Sequence, residues 1–319
     1  MPPPAPNDTG SPSATGFGGH QQLAVAYGVV FALGLAENVA VGSRLLWRLR
    51  RSGPACVLRL SLALAAAAFA CSLPLWVHYH LHGGDWRFGE PACRLSASLH
   101  WAFMYLGTGS LLCLSLDSYL ALAHPWARLR SGRTHWAVGS AGLWLLAGAV
   151  ASPLALGSPL SHTGPNNRTS CFENFVADTV SGSHGTYALV GGFLAPSIII
   201  LSGYPLLAWH VASGHRTWRG RRALRTLGFS VLVCAICFLP YSLCHLLRHL
   251  GGPGPGLSHL RRAALLLLSL GPCLSPLVGL PGGPRACCRL WARLRSPRPK
   301  AVFTICDSKL TGPLCPPLG

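Results

Sequence analysis

His245, Arg248 and His249 stand at i, i+3 and i+4, a spacing that puts all three on one face of a helix. His259, Arg261 and Arg262 follow soon after. Cations gathered at a cavity mouth attract a carboxylate or a phosphate. A second group, His78, His80 and His82, contains an i, i+4 pair, and imidazole titrates near neutral pH. Clustered imidazoles resist joint protonation, so acid would push helices apart or draw them towards Glu173 and Asp178. No His-Glu-x-x-His, Gly-x-Ser-x-Gly or paired-Asp motif lies in the apolar stretches. The chemistry is therefore that of binding or proton sensing, not catalysis, and no cofactor or metal is expected.

The elements that must hold these residues belong in lipid. Half of the 319 residues are hydrophobic and 11% are charged, against about 25% charged in a soluble domain. Seven apolar segments stand out, at 23–47, 57–81, 94–123, 135–157, 186–210, 223–250 and 262–281. Each is about the length that crosses a ~30 Å hydrocarbon core. Backbone polar groups must pair internally there, so the segments are expected to be helices. The fold class that follows is all-α, a seven-transmembrane helix bundle. Paired charges along a pore and broken midplane helices are missing, which speaks against the alternative of a multipass transporter.

Charge sets the expected orientation. Net charge is +18, from 26 basic and 8 acidic residues. The arginines lie in short segments between apolar runs, which excludes nucleic acid as a partner and makes the lipid bilayer one. Arg48, Arg50, Arg51, Arg128, Arg130, Arg133, Arg216, Arg219, Arg221 and Arg222 follow the first, third and fifth segments. The positive-inside rule then places the N-terminus outside and the C-terminus in the cytoplasm of a plasma-membrane protein. Residues 1–22 are expected as a disordered extracellular arm without a cleavable signal, and 23–283 as the transmembrane domain. Residues 284–295 are expected as an amphipathic helix on the cytoplasmic membrane surface, and 296–319 as a tail. The sequons at Asn7 and Asn167 fall on the outer side, as do ten of the fourteen histidines. Of thirteen cysteines only Cys93 and Cys171 lie there, where oxidising conditions favour a disulfide. Cys287 and Cys288 lie in the amphipathic helix as palmitoylation sites, with ordinary cytosolic thiols as the alternative. Glu37, inside the first segment beside Asn38, is expected to make a packed hydrogen bond within the bundle.

The punctuation of the segments resembles that of the rhodopsin-like G-protein-coupled receptors. Gly34-Leu35-Ala36-Glu37-Asn38-Val39 is similar to the signature of their first span, and Pro74 stands where they kink the second. Trp86-Arg87-Phe88-Gly89 before Cys93 resembles their first outer loop. Asp117-Ser118-Tyr119-Leu120-Ala121-Leu122-Ala123-His124-Pro125 is similar to the motif that couples the third span to the G protein. Pro196 and Tyr204 punctuate the fifth segment, Phe238 and Pro240 the sixth, and Ser275 and Pro276 the seventh. The match runs from about residue 23 to 295. Cys237-Phe238-Leu239-Pro240-Tyr241 and Ser170-Cys171-Phe172-Glu173-Asn174-Phe175 resemble the cluster of nucleotide, protease-activated, proton-sensing and free-fatty-acid receptors.

The resemblance implies an orphan receptor for an extracellular small molecule or protons, with a heterotrimeric G protein, arrestin or both as partners. His100 stands where amine receptors carry an Asp. His245 and Arg261 match two anion-binding positions of fatty-acid receptors, while Gly185 stands nearest their further Arg. His100, Tyr105, His245, Arg248 and Arg261 are the expected ligand set. Ala66 replaces a sodium-binding Asp, Ser118 the Arg beside Asp117, Ser275 an Asn or Asp, and Gly279 a Tyr. A serine cannot give the charge-assisted bonds of an arginine. Weakened coupling is the expectation, with a non-signalling decoy or heteromer partner as the alternative.

Overall fold

The computed structural model describes residues 14–47, 55–124, 126, 132–156, 161–163, 167–171, 190–212, 218–251 and 255–279. They form seven helical spans and one β-ribbon. The first span is α1 (Ala14–Trp47) and the second is α2 (Cys56–Ala70) with α3 (Leu73–Leu81). The third is α4 (Gly89–Ala123) and the fourth α5 (Arg133–Leu156). The fifth is a π-turn (Val190–Leu194) leading into α6 (Ala195–Ala212). The sixth joins α7 (Trp218–Val233) through a π-turn (Cys234–Phe238) to α8 (Leu239–Gly251). The seventh is α9 (Pro255–Ser269) and α10 (Gly271–Gly279). Among the described residues, five helices are long and apolar enough to cross a membrane by length and composition alone. The expected amphipathic helix at 284–295, with Cys287 and Cys288, lies outside the described residues, as does Asn7.

Large side chains such as Phe103, Met104, Leu111, Phe193, Phe238 and Tyr241 are buried at the centre of the bundle, while Val25, Val29, Leu145, Ile198 and Ile199 are exposed on its outside. An apolar exterior is what a lipid solvent requires. The third span packs against the second, fourth, fifth and sixth; the first packs against the second and seventh. Lateral bonds tie the second span on both sides, from Trp76 Nε1 to Ser96 Oγ (2.9 Å) and from Trp144 Nε1 to Ser61 Oγ (2.7 Å).

Proline explains where the helices break. A proline lacks the N–H that would bond the carbonyl four residues back. Pro74 follows the break at Cys71–Ser72, where Ser72 N–H bonds the Phe69 carbonyl at 2.9 Å and Ser72 Oγ bonds it at 2.7 Å. Pro276 frees the Pro272 carbonyl. Asn38 Nδ2 reaches that oxygen from the first span at 2.6 Å and also donates to the Gly34 carbonyl at 2.7 Å. Ser275 Oγ lies 3.0 Å from Asn38 Oδ1 and 3.2 Å from the same Pro272 oxygen, with one proton to give. Gly34 makes this approach feasible, since a Cβ there would stand 2.8 Å from Pro272 Cβ. Glu37 departs from expectation: it is half-buried and makes no hydrogen bond among the described residues, because Asn38 points inward and takes the freed carbonyl.

α1 begins at Ala14, well before the expected start at Leu23. Its extra turns carry His20 onto α3, where His20 Nδ1 meets His80 Nδ1. That contact is 60 residues away in the chain and leaves no local signal.

At the same end, β1 (Ser161–Thr163) pairs antiparallel with β2 (Thr169–Cys171). The turn side includes Asn167 at φ 55°, a left-handed conformation that asparagine tolerates. Cys171 is disulfide-bonded to Cys93 at the start of the third span, Cα–Cα 5.8 Å. Two acids hold the ribbon down. Glu90 Oε2 accepts from Ser161 N (2.9 Å) and Oγ (2.6 Å), while its Oε1 accepts from Arg94 Nε (2.7 Å). Asp85 accepts from Thr169 N (3.1 Å) and Arg87 Nε (3.0 Å), and Trp86 N–H donates to the Thr169 carbonyl at 2.7 Å. The Thr169 N–H, then Arg87, hold the Asp85 carboxyl below its ordinary range. A depressed folded value gives stability that is complete above the free carboxylate's value and is lost only as pH falls through the lower one. The ribbon should therefore show equal exchange protection at about pH 7.4 and about pH 6, after correction for intrinsic rates. Loosening at the lower pH would refute this assignment.

Asn38→Ala leaves two buried backbone oxygens without this donor, at about 1–3 kcal/mol. A lower thermal midpoint in detergent is expected, with the Gly34→Val variant similarly affected. An unchanged midpoint in Asn38→Ala would show that water or a shifted helix replaces the amide.

Candidate functional site

At the ribbon end a cleft opens between the first, second and seventh spans, lined by His20, Tyr27, Trp76, His80, Arg261 and Arg262 among others. His20 and Tyr27 are seven residues apart on α1, two turns, and so share its inner face. Trp76 and His80 are likewise i, i+4 on α3. His20 Nδ1 lies 3.1 Å from His80 Nδ1. Tyr27 also stacks on His80, ring centroids 5.4 Å apart and planes 3° from parallel. Cys171 reaches the cleft from the ribbon, so the disulfide helps to shape its mouth.

The expected cluster of His78, His80 and His82 divides. His78 and His82 stack together, centroids 3.9 Å apart, beside Phe88. His80 is buried and turned to α1. Two residues along a helix is 200° of rotation, so the outer pair and the middle residue cannot share a face.

Below the cleft, three members of the expected ligand set meet. His100 and His245 pack edge-on against Tyr241, at 5.0 and 4.4 Å between centroids. Tyr105 packs on Phe193 at 4.5 Å, and Trp101 lies between Tyr105 and His245. Arg261 lies close enough to act electrostatically on Tyr241 and Cys244, which links the cleft to this buried cluster. Arg248 lies on α8, but its side chain falls outside the described residues, as do those of His249, His259, Glu173 and Asp178.

Deeper still, the bundle is filled by rings. Phe69 stacks on Phe103 (4.8 Å), which packs on Phe238 (5.7 Å). Gly107 and Gly271 form the notches that admit them. A Cβ at Gly107 would stand 2.6 Å from the Phe238 ring, and one at Gly271 would stand 2.8 Å from the Phe103 ring. Ala66 is fully buried, and the same region offers no carboxylate among the described residues.

At the far end Asp117 and Ser118 are buried and Tyr119 is exposed. Ser118 Oγ bonds back to the Leu114 carbonyl at 2.9 Å, so its hydroxyl is spent within its own helix. Tyr204 is half-buried with Leu122 against Leu207, Ala223 and Leu227, and its ring stands 3.3 Å from where a Cβ of Gly228 would be. Pro196 and Pro240 are half-buried, each close behind a π-turn, while Ser275 and Pro276 are buried. Sequence reasoning missed His20, Tyr27 and Trp76 as site residues; the seven-residue spacing of the first two was the available signal.

These features agree with the comparisons to known proteins. The family described as "7 transmembrane receptor (rhodopsin family)" matches residues 37–278. Proteinase-activated receptor 2 of Rattus norvegicus is 29% identical over 267 residues, 80% of this chain and 67% of that receptor. The Homo sapiens proteinase-activated receptor 2 is 28% identical over 267 residues with the same coverage. Apelin receptor B of Danio rerio is 31% identical over 235 residues, 69% of this chain and 65% of that receptor. The chain belongs to the rhodopsin family of seven-transmembrane receptors, multipass membrane proteins that signal and are not enzymes.

Proposed function

We propose that this chain is a plasma-membrane receptor that reads extracellular acid at the His20–His80 contact and couples weakly to G proteins. The ribbon end faces outside, which the positive-inside count of arginines supports. On that reading Asn7 and Asn167 carry glycans, and Asn167 is exposed on the ribbon. Cys287 and Cys288 then take palmitate on a cytoplasmic helix at 284–295.

The 3.1 Å separation of the two Nδ1 atoms carries the acid reading. One proton between them makes one N–H···N bond. A second proton leaves two donors face to face, and two unit charges about 4 Å apart repel by roughly 4 kcal/mol at an effective dielectric near 20. The groups facing the pair are Tyr27, Trp76, Tyr79, Arg261 and Arg262, with no carboxylate among the described residues of the cleft lining to absorb the charge. Acid would therefore part the first span from the second at their outer ends. His100, Tyr105, His245, Arg248 and Arg261 relay or sense the same change in the neighbouring region. His80→Phe keeps a ring for Tyr27 to stack on and removes the second imidazole. It should abolish the difference in signalling between about pH 7.4 and about pH 4, since a repulsion of roughly 4 kcal/mol, about three pH units, holds off the second proton until well below the ordinary imidazole range. A full acid response in that variant would overturn the reading.

Weak coupling is supported by Ser118, whose hydroxyl is bonded to its own helix where relatives of this pattern present a charged arm. Ser118→Arg should raise G-protein activation well above wild type, while arrestin recruitment changes less. Wild type coupling as strongly as the variant would remove the claim. No activation by either protein, with surface expression intact, would instead favour the non-signalling decoy or heteromer partner.

A further inference from the structure

Arg261 and Arg262 line the same cleft as the imidazole pair. We infer that this cleft binds an aromatic carboxylate, with the carboxylate on the arginines and the ring against Tyr27, Trp76 and His80. Three observations support this. Among the described residues the lining holds four basic side chains and no acid, so its field attracts an anion. Arg262 is exposed and has no salt-bridge partner among the described residues, which leaves a planar guanidinium able to take a carboxylate in a bidentate pair. The opposite wall is aromatic and already orders one flat ring on another, His80 on Tyr27, with Trp76 6.5 Å from each. Leu23 and Leu265 close the cleft with apolar surface. A bare phosphate would satisfy the arginines and leave these walls uncovered. An uncharged arene would do the reverse.

The site lies between the first, second and seventh spans, apart from the cluster of His100, Tyr105 and His245. It depends on the arginines, whereas acid sensing depends on the imidazoles. The test uses the full chain purified in nanodiscs at about pH 7.4, titrated calorimetrically with 3-phenylpropionate. Parallel titrations use 3-phenylpropanol, propionate and inorganic phosphate. Saturable binding of 3-phenylpropionate is expected, with each of the other three weaker by roughly tenfold or more. Arg262→Gln should weaken it roughly tenfold while the acid response survives, and Arg261→Gln with Arg262→Gln should remove it. Equal binding of the alcohol or of phosphate would overturn the proposal. So would unchanged affinity in the double variant, or no saturable binding to wild type up to about 10 mM. The probe series on wild type decides the matter even where the double variant fails to fold. Loss of the acid response in His80→Phe with 3-phenylpropionate binding retained would separate the two sites of action.

Discussion

A carbonyl released inside a membrane has no water to bond, and the junction of the first and seventh spans is organised around one such oxygen. Pro276 cannot bond the Pro272 carbonyl, so Asn38 and Ser275 converge on it. The need is backbone chemistry and not charge. That is why a serine suffices at position 275, where the family carries Asn or Asp. Gly34 lets the two helices approach. The cleft above inherits its walls from this junction, because the face of α1 that carries Asn38 also carries Tyr27 and, two turns further, His20.

The centre of the bundle solves its packing differently. Where the family places an acid able to hold sodium, Ala66 is buried and stacked phenylalanines fill the space. A charge in a buried site must be paired or solvated; a ring needs only room, which Gly107 and Gly271 provide. Phe238 in the notch at Gly107 and Phe103 in the notch at Gly271 are therefore parts of one packing arrangement.

Much of this was legible in the residues. Composition and run length disclose the spans, because lipid leaves helices few alternatives. Pro74 announces the break in the second span. Cys93 and Cys171 are identified by being the two cysteines on one side of the bilayer. The rest depended on distance. The early start of α1 is set by a contact between residues 20 and 80, which no local window contains. The π-turns before Pro196 and Pro240 follow from how neighbouring spans accommodate the backbone around a proline. The histidines at 78, 80 and 82 look like one cluster along the chain, and helical rotation alone was enough to divide them.

From cleft to core, the contacts are continuous. Arg261 lies within electrostatic reach of Tyr241, and from there the contacts run ring to ring: Tyr241 touches His100 and His245, His100 meets Phe69, and Phe69 stacks on Phe103, which packs on Phe238. Continuity does not by itself transmit a signal; an element with two discrete arrangements is required. The ring of Phe238 fills the notch at Gly107, between the sixth span and the third. Close-packed interiors do not deform gradually, so any shift of the sixth span against the third has first to clear this contact. At positions 118 and 66 the described residues offer a hydroxyl bonded within its own helix and a buried methyl group, so packing and not charge fills both places.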